Sequence, residues 1–221
     1  MCFSAGASFG ASAVLCVVGV VAIKKTKTPK AVLFAVIPLF FSFQQFTEGF
    51  IWLTLTNPDY VFLQKIPLYI FLIFALVIWP TLVPLSIMLL EKNATRKKLL
   101  SILFGMGILL SVVMTDTLLF HHVSVNILSF HIHYIVNYPV DIPQSKNIFY
   151  FIPSVLPYFV SSVRKMKLFG FIIILSFIVS NIFFKENVVS VWCFFAAIIS
   201  VIILAIIIGI NKTPNPIEDS V

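Results

Sequence analysis

The chain has 221 residues, of which 60% are hydrophobic and only 10% charged, with a formal net charge of +7 and a mean hydropathy of +1.09. A soluble globular domain carries about 25% charged residues, so the composition excludes one and leaves no length for a separate soluble unit. The basic residues sit in short clusters between apolar runs, as membrane topology signals do, and no nucleic-acid partner is expected.

Seven apolar runs follow one another, at about 5–23, 31–55, 67–90, 99–119, 148–163, 168–184 and 188–210; crossing a bilayer takes about 20 residues at ~1.5 Å each. The opening MCFSAGASFG lacks the basic region of a signal peptide. Ala13-Val14-Leu15 before Cys16 does not form a lipoprotein cleavage site, so the first run is expected to stay as a helix. The expected fold class is all-α: a polytopic membrane protein with seven transmembrane helices in one domain over 1–210. An outer loop covers 120–147, and the tail 211–221 is cytoplasmic.

Orientation follows from Lys and Arg. Twelve of the fifteen lie in the loops after the first, third and fifth runs and just past the last: Lys24, Lys25, Lys27, Lys30, Lys92, Arg96, Lys97, Lys98, Arg164, Lys165, Lys167 and Lys212. Only Lys65, Lys146 and Lys185 fall on the other side. The positive-inside rule then predicts an outer N-terminus and a cytoplasmic C-terminus for a multi-pass membrane protein. Trp79-Pro80, Pro84, Pro153 and Pro157 mark expected kinks. No internal repeat supports an inverted-repeat transporter.

The second run carries Gln44, Gln45, Thr47 and Glu48. An acid in such a segment costs roughly 2.5–3.5 kcal/mol on insertion scales and marks a candidate site. Gln44, Gln45 and Glu48 share a helix face by their i,i+4 and i,i+3 spacing, and Trp52 continues it one turn on. Counting from Ala31, Glu48 stands ~26 Å into a ~30 Å core, near the outer boundary, where snorkelling lowers its cost. The same topology brings Cys2, Asp116, His121, His122, His131, His133 and Cys193 to that face.

His131 and His133 lie in the alternating SFHIHYIV; in a strand they point the same way and could share a metal. Cys2, Glu48, His131, His133 and Cys193 suit zinc, and the Cys and His among them copper. Cys2 has three readings: a nucleophile at an exposed N-terminus, a metal ligand, or a disulfide partner of Cys193 in an oxidising compartment. The seventh run has no lysine, which excludes a retinal Schiff base there. No run holds two closely spaced acids, which argues against a pump built on paired carboxylates.

Met1-Cys2-Phe3-Ser4-Ala5, Gln44 to Gly49 with Trp52, Trp79-Pro80 with Pro84, Leu168-Phe169-Gly170 and Ser190 to Ala197 together resemble an uncharacterised bacterial seven-helix membrane family with this N-terminal signature. The resemblance covers nearly the whole chain and brings no activity with it. It implies a shared site of Cys2, Gln45, Glu48, His131, Tyr134, Trp192 and Cys193.

The expected function is a polar, metal-binding pocket at the outer face. If catalytic, Glu48 and Cys2 would act on a lipid-like or small amphiphilic substrate, with Gln44, Gln45, Trp52, Tyr134 and Trp192 as ligand contacts. The alternatives are a transporter or ligand-binding protein without catalysis, or a structural partner with a Cys2–Cys193 disulfide. Expected partners are the bilayer and a small-molecule or lipid ligand.

Overall fold

The computed structural model describes residues 4–128, 130–138, 146–163 and 165–212. Among these, six helical segments are long and apolar enough to cross a membrane: Ala5–Lys25, Pro29–Thr56, Lys65–Leu90, Ala94–Phe120, Met166–Phe183 and Lys185–Asn211. The fifth run of the sequence forms the shorter helix α7, Lys146–Val160.

Each helix has a local reason for its limits. α1, Ala5–Lys25, is capped by Ser4, whose Oγ accepts from the Ala7 N–H at 3.2 Å, and it ends on Lys24 and Lys25, which complement the helix dipole. After a 3-10 turn at Pro29–Ala31, a short α2, Val32–Ala35, leads into α3, Ile37–Thr56, which opens on Pro38. Asn57 stops α3 and caps a 3-10 turn over Pro58–Leu63.

The third run divides into α4, Lys65–Leu72, a π-helical stretch, Ile73–Ile78, and α5, Trp79–Leu90. Pro80 has no N–H for the helical bond, and the ladder widens just before it. Side chains from two other helices and from the next turn of the same run satisfy the loosened carbonyls. Ser111 and Thr81 donate to Val77, Thr81 also to Ile78, and Tyr150 to Ala75.

α6, Ala94–Phe120, starts at Asn93, whose side chain caps Arg96. α8 is Met166–Phe183; α9, Val188–Ile199, and α10, Ile202–Lys212, continue one another past a break at Ser200-Val201.

The segment expected as a loop holds a hairpin, so the all-α class needs one amendment. β1, Val123–Leu128, pairs antiparallel with β2, His131–Val136, around Phe130 at φ 64. The β-branched residues of VSVNIL and HIHYIV favour strand.

The hairpin docks on the α8–α9 turn, where Asn187 Nδ2 donates to the Leu128 carbonyl and His133 Nδ1 donates to the Glu186 carbonyl. This is the hairpin end of the bundle. At the opposite end lie the basic clusters. There Asn211 ties α10 to Lys25 and Lys27 after α1, and Glu91 ties the α5–α6 turn to Ser162 after α7.

The core falls into two apolar clusters. One, around Phe34, Ile87, Leu100, Met166 and Ile206, fills the basic half; the other, around Ile51, Phe71, Leu72 and Ile132, fills the hairpin half. Two glycines allow close crossings. A Cβ on Gly107 of α6 would stand 2.0 Å from the Pro80 carbonyl oxygen, and one on Gly19 of α1 would stand 2.7 Å from the Leu39 nitrogen. On the flank of α3, an apolar groove of ≈ 550 Å³ opens beside the Pro58–Leu63 turn and α4, walled by Phe43, Phe46, Phe50, Leu63, Ile66 and Ile70.

Candidate functional site

Six residues of α3 along its inner face, Phe41, Gln44, Gln45, Glu48, Ile51 and Trp52, are buried. This face meets α5, α9 and β2 and forms a polar centre in an apolar bundle. Glu48 is 0% exposed. Its Oε1 accepts from Ser190 Oγ of α9 at 2.7 Å and from Tyr134 Oη of β2 at 3.4 Å. The expectation that Glu48 snorkels at a boundary is therefore corrected. The hairpin lies over the end of the bundle and closes the carboxylate in, and Tyr134 is held there by stacking on Phe71 of α4 at 4.6 Å and 7°.

One turn earlier, Gln44 Oε1 accepts from Trp79 Nε1 at 2.8 Å, and Trp79 stacks on Phe41 at 4.0 Å. Cys193, on the turn of α9 after Ser190, packs in the apolar cluster that holds Ile51, Trp52 and Tyr134. It is buried and carries a free thiol. Gln45 is 0% exposed, and both its amide atoms lack a hydrogen-bond partner among the described residues. Trp52 is buried and its Nε1 is in the same position.

The structure thus brings together Gln44, Glu48, Tyr134 and Cys193, with Gln45 and Trp52 on the same helix. The other expected residues lie apart. His131 is buried against Phe184 at 4.8 Å between ring centres, while His133 is engaged by Glu186. On an extended strand both point away from the face that carries Tyr134. Trp192 faces α7 and α8, with its ring at 5.7 Å from Tyr150 and 5.0 Å from Phe177. Asp116 and His122 are exposed and His121 half-buried. Cys2 lies outside the described residues. Among the described residues no three His, Cys, Asp or Glu converge as metal ligands.

Sequence reasoning missed two residues. Ser190 enters the sequence reading only within the stretch Ser190 to Ala197, with no role of its own, yet it donates to Glu48 at 2.7 Å; its signal was the i,i+3 spacing to Cys193. Glu91 looks like a solvated acid in a turn but is 4% exposed. It accepts from the N–H groups of Lys92, Asn93 and Ser162 and from Ser162 Oγ, at 2.7–3.1 Å.

Among the described residues, six helices long and apolar enough to cross a membrane enclose a buried carboxylate beneath a hairpin, which is compatible with a polytopic membrane protein. The chain belongs to a family of unknown function, DUF6629, whose model matches residues 1–218. No curated protein and no solved structure matches it.

Proposed function

We propose that the chain is a seven-helix protein of a bacterial inner membrane that binds a small polar ligand in the Glu48 pocket. α7 is the seventh crossing; its 15 residues span ~22 Å, and thinning of the bilayer accommodates the mismatch with a ~30 Å core. Twelve of fifteen basic residues fall, along the sequence, in the turns after the first, third and fifth runs and just past the last, which supports an outer hairpin and a cytoplasmic C-terminus.

Gln45 carries the ligand proposal. Leaving a buried amide without partners costs roughly 1–3 kcal/mol per group, and Gln45 stands one turn from Glu48 with both a donor and an acceptor unused. Trp52 Nε1 adds a second unused donor. The ligand is accordingly small and bears both donors and acceptors, and it is held between helices as in other membrane binding sites. Catalysis in the same pocket, with Glu48 as acid–base and Cys2 as nucleophile, would require Cys2 within reach of Glu48.

Native mass spectrometry of the purified full chain tests the proposal. The wild type should carry a non-lipid adduct that is lost in both Gln45→Leu and Glu48→Gln. A wild type without any adduct, in gently extracted preparations, would overturn it. Zinc and copper are measured in the same samples. A stoichiometric metal lost in Glu48→Gln would show that the ligand is an ion, with Cys2 as the first residue to test as its further ligand.

A further inference from the structure

A second polar feature runs along α7. Tyr150, Ser154 and Tyr158 recur every four residues on one helix face, and Ser161 and Ser162 follow at its end. Ser154, Tyr158 and Ser161 are 6%, 5% and 1% exposed. The stripe is ~18 Å long from Tyr150 to Ser162, well over half of a ~30 Å hydrocarbon core.

Three observations set it apart from ordinary helix packing. First, it has a buried carboxylate at each end. Ser162 donates twice to Glu91. At the other end Tyr150 shares the wall of one cavity with Cys193, which stands one helical turn from Ser190, the donor to Glu48 at 2.7 Å.

Second, the stripe borders a cavity of ≈ 50 Å³ between α3, α5, α7, α8 and α9, lined among others by Tyr150, Ser154, Tyr158, Trp192 and Cys193. A buried water needs only about 10–15 Å³ and two to four polar partners. Trp192 Nε1 has no hydrogen-bond partner among the described residues, and the Ser154 and Tyr158 hydroxyls lie on the same wall.

Third, Pro153 and Pro157 lack the N–H groups that would bond the carbonyls of Phe149 and Pro153. Ordered water is one way that membrane helices satisfy such carbonyls.

We propose that the hydroxyl stripe of α7 and the cavity beside it form a hydrated proton path joining Glu48 to Glu91. A proton entering at one carboxylate passes along hydroxyls and water by exchange of hydrogen bonds and leaves at the other; no group is oxidised and no co-reactant is consumed. The path rests on the membrane reading of the bundle but not on the ligand of the Glu48 pocket, so it operates with the pocket empty.

The test is proton flux into vesicles holding the full chain and an entrapped pH dye, driven by a potassium diffusion potential with valinomycin. The wild type should exceed protein-free vesicles. Ser154→Leu, which fills the cavity, and Tyr158→Phe, which removes one oxygen, should each lower the excess flux at least tenfold. Ser86→Ala, a buried hydroxyl bonded within α5 to the Val83 carbonyl, should leave it unchanged. If Ser154→Leu does not fold, Tyr158→Phe decides. Protein that resists an alkaline wash of the vesicles yet passes no protons would overturn the path alone. Protein that is washed off would overturn the membrane reading with it. Full flux in Tyr158→Phe would also overturn the path.

Discussion

At the scale of the residue, two buried side chains have opposite energetic signatures. Gln45 makes no hydrogen bond among the described residues, so it lowers stability and its removal should help the fold. Gln45→Leu, close in volume, is expected to be more stable than ligand-free wild type by about 1–2 kcal/mol while abolishing the ligand adduct. Thermal unfolding read beside native mass spectrometry checks both halves.

Glu91 is the reverse. Burial pushes its carboxyl up, but the hydrogen bonds from Asn93, Ser162 and Lys92 together overcome this and hold it below the ordinary glutamate value. A depressed folded value means that its stabilisation is present above the unfolded pKa, about 4.3, and is lost as pH falls through the folded one. Glu91→Ala should cost on the order of 2 kcal/mol at pH 7. The gap to wild type should close as pH drops below about 4, as a pH series of unfolding midpoints would show.

At the scale of the element, close approach decides where a side chain is tolerated. Gly107 faces the Pro80 carbonyl oxygen at a distance that no Cβ can share, whereas a Cβ on Gly105, half a turn away on the same helix, would meet nothing within 4 Å. Gly105→Ala should therefore be neutral or stabilising by up to ~1 kcal/mol through helix propensity. Gly107→Ala should destabilise by roughly 1–3 kcal/mol by overpacking. The pair separates propensity from packing in one helix, with unfolding midpoints as the measurement.

Elements were the most legible part of the sequence. The runs at 5–23 and 99–119 lie inside α1 and α6, because a long apolar stretch between charged turns has few other ways to satisfy its backbone. What the runs could not show was interruption. The π-helical stretch at Ile73–Ile78 depends on Ser111 and Tyr150 from other helices, and the hairpin depends on Glu186 and Asn187 across the chain. Such partners lie far apart in sequence. The site was legible in part for the same reason. Gln44, Gln45, Glu48 and Trp52 share one helix, so spacing alone places them on one face. Ser190 and Tyr134 reach Glu48 only through the fold, and His131 lies on the strand face opposite Tyr134.

At the scale of the whole molecule, charge asymmetry makes the strongest claim. With Lys97 at the basic end and Asn126 on the exposed side of the hairpin, single Lys97→Cys and Asn126→Cys variants should be labelled by an impermeant maleimide from opposite sides of the membrane. Asn126→Cys should react in intact spheroplasts and Lys97→Cys only after permeabilisation. Labelling of both from the same side would overturn the orientation.

The groove beside α3 also bears on how the protein is handled. Its walls of Phe43, Phe46, Phe50 and Ile66 enclose a concave apolar space of ≈ 550 Å³, and a concavity is harder to fill than a flat flank. A short, mobile surfactant tail leaves gaps there, and the facing ring atoms lose their dispersion contacts. The choice of solubilising agent then becomes a term in the folding equilibrium: among maltosides with one headgroup, the melting midpoint should climb from octyl to dodecyl chains, and exchange into the shorter agent should loosen α3 from α4 first.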